Sequence, residues 1–429
     1  MEFSGPWNGP LSGFTPGAVY ILGMICWSAI AHSSPIPPTV RVLVERERSS
    51  LSIEGFDILV KNAVTNEVVA RGPGRSRLPF SCSLNGKIQL TAAKKTQMGP
   101  LRIESQGGFL RVNHRQYRDD LYLYSLNGDC MVVNHLDIEK YVAGLLNSEM
   151  SSAWNLETLK AQAVAARTYA IFQMREASDL NANKRAMPFD LDSSVKDQVY
   201  EGAHQERYKA IRAVSETQGQ VLSFAGRPIK AFYHSTCGGH TETPEKVWGV
   251  RLPYLKAVKC GFCERSPRFK WNFTLTLKEV AQKLSARKLI SGVLKGIRVA
   301  NRNSMGRASD VEALEELSQT AGLPRTLAAA TVSDHSRADS VGPMPLTQPL
   351  ERVRRLTAAQ LRDTLGVSLV RSTDFHVAQA GDWLAFAGHG SGHGVGLCQW
   401  GAKTMGEKGY AYKEILKKYY PLAEITKIY

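Results

Sequence analysis

No run of five or more basic residues occurs in the 429-residue chain, although 54 Lys and Arg against 39 Asp and Glu leave a formal charge of +15. With that scatter and no recognisable nucleic-acid module, a specific nucleic-acid partner is not expected. The excess charge instead favours a polyanionic surrounding such as an acidic envelope polymer or a membrane surface. Long apolar runs are also missing. The best is Ala18 to Ala31, "AVYILGMICWSAIA", short of the roughly 20 residues of a membrane span. It ends in Ala29-Ile30-Ala31, like a signal-peptidase site, and reads as a signal peptide over 1–31 that sends the protein to the periplasm or cell envelope. No Lys or Arg precedes Arg41, so the basic start of a typical signal is lacking. A misplaced start codon or a disordered tail would explain that. Cysteine is sparse, and Cys82, Cys130, Cys237, Cys260, Cys263 and Cys398 are too unevenly spaced to suggest a disulfide framework.

What is present suggests an α+β protein. A proline-bearing linker over 32–39 leads to short alternating runs from 40 to 134, among them "VRVLVERE", "FDILVKN" and "CMVVNHL", which predict a β-rich N-terminal subdomain. The first half of a mixed α/β core follows over 135–300. "DIEKYVAGLLNSE" predicts a helix with Ile138, Tyr141, Val142 and Leu145 on one face. A second helix runs from about 155 to 176, with Ser151 or Ser152 as its cap. The segment 301–350 shows no clear period and reads as an irregular insertion or linker. The second half of the core, over 351–429, contains the glycine-rich stretch "GHGSGHGVGLCQWGA".

Three stretches carry candidate chemistry. In "HSTCGGH" and "KCGFC", Cys260 and Cys263 form a chelating pair. Cys237 and His240 could complete a closed tetrahedral site suited to structural zinc, with His234 as the other candidate imidazole. The plain alternative is a redox disulfide or buried free thiols. Glycine at every second position of the 388–396 loop lets backbone approach closely. No Lys-Ser or Lys-Thr closes it as in a phosphate loop, and His393 projects from it. Glu149, in "NSEMSS", reads on its own as a capping carboxylate near a helix start. Arg167 likewise reads as a solvated helix residue, though it lies in an alanine-lined run.

Together these stretches resemble the stage II sporulation protein D family. The matching residues are "YVAGLLNSEMSSAWNLETLKAQAVAARTYA", "DQVYEG", "IKAFYHSTCGGHTETPEKVWG" and "SGHGVGLCQWGAKTMGEKGYAYKEILKKYY". The resemblance implies a lytic transglycosylase acting on peptidoglycan glycan strands, with Glu149 as catalyst on a turn between paired helices and Arg167 in the same cleft. No cofactor is then needed for the chemistry. By position in the shared motifs, Gln198, Tyr200, His234, Ser235, His393 and Gln399 are candidate substrate-binding residues. Ser391 stands where relatives tend to carry a bulkier residue. The alternative is a non-catalytic wall-binding protein that stimulates a cell-wall amidase, as related amidase enhancers do. A zinc hydrolase is the third reading, disfavoured by a closed metal site.

Overall fold

The computed structural model describes residues 36–182, 187–317 and 350–429; the apolar run over 18–31 lies outside them. Strands between Thr39 and Asp137 build one antiparallel sheet, extended by a parallel edge at Leu191–Asp192 into eleven strands. Thr39–Arg48 pairs with Asp129–Asp137 in the register Val42↔Asn134. The alternation of the sequence sends Val40, Val42, Ile53, Val60, Ile103, Leu121 and Leu123 into the main core. A disulfide between Cys82 and Cys130, 48 residues apart, ties two strand ends of this sheet. Uneven cysteine spacing had argued against a disulfide framework, and this single bond is not one.

The sheet feeds directly into helix α1 (Ile138–Glu149), whose N-cap Asp137 accepts a bond from the Glu139 amide at 2.6 Å. The predicted face Ile138, Tyr141, Val142 and Leu145 is buried against the sheet. Helix α2 (Leu156–Ala182) follows. Its cap is Asn155, whose Oδ1 accepts from the Glu157 amide at 2.8 Å, rather than Ser151 or Ser152. Ala161, Ala163, Ala165, Ala166 and Ala170 are fully buried, so small side chains let neighbouring elements approach α2 on several sides. Among these are α3 (Tyr208–Glu216), α7 (Gln399–Glu407) and α8 (Tyr412–Tyr419). The chain end returns as strand Glu424–Lys427, pairing with Gln220–Phe224. A short helix, α4 (Pro244–Trp248), stands beyond these strands.

Arg167 corrects the expectation of a cleft residue. Its side chain is fully buried and pairs with both carboxylate oxygens of Glu139, at 2.9 and 2.6 Å. It also donates to the carbonyls of Gln220 and Val214. Glu139 Oε1 accepts further bonds from the Gly219 amide at 3.1 Å and the Tyr429 hydroxyl at 2.5 Å. One ion pair therefore joins α1, α2, the segment after α3 and the chain end. No bond links Arg167 to Glu149.

A second core lies within residues 271–386, among them Val280, Leu284, Leu361, Phe375 and Phe386. It sits under two three-stranded sheets, Lys270–Thr276 with Trp383–His389 and Phe375–Ala380, and Val293–Arg302 with Ala308–Leu317 and Leu350–Thr357. Helices α5 (Leu277–Ala286) and α6 (Ala358–Leu365) complete it, each opened by a Thr capping box. Residues 301–317 are thus largely strand, not irregular linker; 318–349 lie outside the described residues. Charges hid the pattern. Glu312 and Glu315 occupy buried positions on Ala308–Leu317 because Arg298, Arg352, Arg354 and Arg355 pair with them across the sheet.

Removing one partner of a buried ion pair strands the other, at a cost of about 3–5 kcal/mol. Arg167→Met is therefore expected to unfold at markedly lower urea than the parent. A midpoint unchanged within error would overturn the anchoring role.

Candidate active site and thiol centre

Glu149 is the last residue of α1. It therefore stands at the negative end of the α1 dipole and not in the first turn of α2, which begins seven residues later. Its Oε1 accepts from the Val199 amide at 3.0 Å, and Oε2 lies 3.5 Å from Gln399 Nε2. Burial raises its pKa above the ordinary carboxyl value. The Val199 amide and the Tyr233 and Gln399 side chains pull the other way without cancelling it. Arg167, expected in the same cleft, neutralises Glu139 instead. The protonated form thus persists to higher pH than in a free glutamate, as a general acid requires.

The segment "DQVYEG" builds the floor beneath this carboxyl. Asp197 accepts from Tyr169 Oη, Gln173 Nε2 and the Asp192 amide, fixing the turn. Gln198, only 1% exposed, accepts from Tyr141 Oη and donates to the Ala166 carbonyl and Tyr233 Oη. It holds Tyr233 in place from beneath and does not line a cleft. Tyr200 is equally buried, bonded to Asn134 and packed between Tyr117 and Tyr141. Both differ from the substrate-binding role expected for them: "DQVYEG" positions Val199 and Tyr233.

The opposite wall comes from the second half of the chain. Tyr233–His234 pairs in parallel with Leu397–Cys398, which sets Tyr233 and Gln399 on neighbouring backbones. The approach is so close that a Cβ on Gly396 would lie 2.0 Å from the Phe232 carbonyl oxygen. His393 accepts from the Val395 amide through Nδ1 and packs against Trp248, His234 and Phe232. His234, 4% exposed, meets the Val395 carbonyl through Nδ1. Burial lowers His234 to about 3 and His393 to about 4, so both rings are neutral near pH 7. Ser235 contributes its carbonyl, which accepts from the Trp400 amide at 3.1 Å. Sequence reasoning missed Tyr233, Trp248 and Trp400. Trp400 meets Trp154 edge to face at 5.3 Å, with Lys403 Nζ over both rings. Tyr233 and Trp400 stand beside His234 and Gln399 in the motifs, whereas Trp248 carried no such signal.

The thiols gather elsewhere on the same loops. The sulfurs of Cys237, Cys260, Cys263 and Cys398 all lie within 4.8 Å of one another, and all four residues are buried. His240 is exposed and its backbone bridges to Lys259, so it is not the fourth member; Cys398, from the glycine-rich motif, is. His234 is not part of the group either. Cys237 and Cys263 sulfurs are 3.5 Å apart, against about 3.8 Å between ligands of a tetrahedral zinc with 2.3 Å bonds. The donor set therefore fits a closed tetrathiolate metal. Cys260 Sγ takes the Tyr419 hydroxyl at 3.1 Å and Cys398 Sγ takes the Cys237 amide at 3.3 Å. Hydrogen bonds from Cys237 and Cys263 hold the Cys260 thiol well below its ordinary range.

Comparison with known proteins gives the chain its family. The profile of the family described as stage II sporulation protein matches residues 126–224, which span α1, α2, the whole "DQVYEG" floor and α3. Stage II sporulation protein D of Bacillus subtilis is 30% identical, over 68% of this chain and 76% of that protein. The chain belongs to the stage II sporulation protein D family. An uncharacterized protein of Brachyspira hyodysenteriae is 34% identical over 75% of both chains. The amidase enhancer of B. subtilis is 29% identical over 66% of this chain but only 40% of its own length.

Gln399 favours the Glu149 anion, so its removal should raise the Glu149 pKa further. Gln399→Leu is expected to move the alkaline limb of the pH–activity profile to higher pH. A limb that stays in place would show that Gln399 does not act on Glu149.

Proposed function

We propose that this protein is an exported lytic transglycosylase. It would cleave the bond between N-acetylmuramic acid and N-acetylglucosamine in peptidoglycan glycan strands, leaving 1,6-anhydro ends. The observation that carries this reading is a single carboxyl, Glu149, whose pKa burial raises and which no cation neutralises. Family membership supports a cell-wall role. Glycoside hydrolysis ordinarily needs a second carboxylate to activate water or attack the sugar. Among the described residues no acid bonds to Glu149 or directly to Tyr233 and Gln399. The nearest in the network are engaged elsewhere: Asp197 by Tyr169 and Gln173, and Glu201 by Gln205 and Arg115, meeting Ser148 at 3.4 Å.

One carboxyl suffices when the nucleophile is the sugar's own C6 hydroxyl. Glu149 protonates the glycosidic oxygen as the C–O bond breaks. As carboxylate it then takes the proton of the C6 hydroxyl, whose oxygen bonds to the anomeric carbon. Tyr233 and Gln399 hold the carboxylate produced midway, and the amide of Val199 fixes its orientation. The exposed face of Trp248 and the Trp154–Trp400 pair offer apolar walls for sugar rings. In this reading Cys237, Cys260, Cys263 and Cys398 hold a structural zinc. It would tie the wall bearing Gln399 to the loops around Cys237 and Cys260, with no open position for chemistry.

The amidase-enhancer relative favours a second reading, a wall-binding partner of an amidase without its own catalysis. Products from glycan strands digested in ¹⁸O-water separate the readings. Anhydro ends without label are expected; labelled reducing ends would show hydrolysis, and no cleavage would favour the enhancer. Glu149→Gln is expected to fold yet lose at least about a hundredfold in rate. Glu201→Gln is expected to keep it. A fully active Glu149→Gln would remove the proposed catalyst.

A further inference from the structure

The turn between strands Val293–Arg302 and Ala308–Leu317 sends one side chain out of the second core and into the thiol loops. Arg307 is 3% exposed. Its Nη2 donates to the carbonyls of Cys237 and of His240, the latter at 3.1 Å. Its Nη1 is buried and has no partner. The turn itself is rigid: Asn303 Oδ1 accepts from the amides of Met305 and Arg307, and Asn303 Nδ2 donates to Glu242 at 2.6 Å. The carboxylate of Glu242, itself 2% exposed, takes that bond and the Thr243 amide, neutral donors that leave its charge in place, and it forms no ion pair with Arg307. Among the described residues Arg307 thus makes bonds to carbonyls and none to a carboxylate. A guanidinium stays charged at any physiological pH, and a buried charge without a counter-charge is costly.

We propose that Arg307 is the charge-balancing cation of the thiolate centre, and that the second core positions it there. The inference rests on the reading that the four cysteines hold a metal. Four thiolates around a divalent ion carry a net charge of −2 in a buried setting. The Tyr419 hydroxyl and the Cys237 amide supply hydrogen bonds to sulfur but no whole charge. Arg307 lies against the backbone of one ligand, Cys237, and its guanidinium would meet a Cβ placed on Gly394 at 3.1 Å, so it also abuts the glycine-rich loop that delivers Cys398. The wall that carries Gln399 therefore depends on a residue of the segment whose sequence showed no period.

The test is zinc retention by full-length wild-type, Arg307→Gln, Arg307→Lys and Asn303→Ala proteins against a graded chelator, with folding followed by circular dichroism. Zinc binding at least tenfold weaker is expected in R307Q, near-parental binding in R307K, which keeps the charge, and in N303A, which loosens the turn without changing charge. Iron loaded into the same thiols adds a readout that packing alone does not give. Ferric and ferrous forms carry net charges of −1 and −2, so losing a nearby cation shifts the reduction potential of R307Q to a more negative value. Parental zinc retention in folded R307Q, an unshifted potential, or equal losses in R307K and N303A would each overturn the proposal. If R307Q does not fold, R307K and N303A decide. Wild-type protein that takes up no metal would refute the metal reading itself and is read before any variant.

Discussion

The buried pair between Arg167 and Glu139 is the contact on which the geometry of the site depends. Glu139 lies in the first turn of α1 and Glu149 is its last residue, about 15 Å further along the axis at 1.5 Å per residue. A helix pinned at one end against α2, the Gly219 amide and Tyr429 has little freedom left at the other. The carboxyl of Glu149 is thereby presented at a fixed point above Val199. Such a pair contributes little net stability compared with apolar packing of equal volume. Its value here is positional, because it fixes α1 against α2 and the chain end at once.

The alanine run of α2 serves the same end by a different route. Alanine gives little packing surface per residue, but it lets α1, α3, α7 and α8 all approach a single helix. That is how segments more than 200 residues apart reach one point: Thr158 of α2 bonds to the Ala402 carbonyl of α7, and Glu149 meets Gln399 at the start of the same helix. A bulky residue in the run would push one of these helices outward and open the gap between acid and wall.

Much of this could be read from sequence, and what could not has identifiable causes. The strands before Asn134 and the face of α1 followed from period and turn residues. Glu149 itself was visible only through the family resemblance, since a carboxyl near a helix end is more often a cap. Arg167, Gln198 and Tyr200 were placed in the cleft because motif positions do not reveal burial. All three are buried supports whose polar groups are consumed inside the protein. Cys398 escaped because it sits far from the other thiols in sequence, inside a motif that a glycine pattern already explained. The strand Ala308–Leu317 escaped because its buried glutamates broke the apolar pattern, and the arginines on adjacent strands make those charges tolerable.

The short parallel pairing of Tyr233–His234 with Leu397–Cys398 explains why the thiols and the acid belong to one design. Along each strand neighbouring side chains point opposite ways. Tyr233 and Gln399 turn toward Glu149, while Cys398 turns toward the sulfurs of Cys237, Cys260 and Cys263. A metal held on Cys398 would fix the backbone of Gln399 next to it without touching the Glu149 carboxyl. Such a crosslink would hold the wall from one residue away, and Glu149 keeps the buried setting that raises its pKa. A four-thiolate centre around a divalent ion would be net negative, so bringing it closer would disfavour the Glu149 anion, the form that must take the second proton.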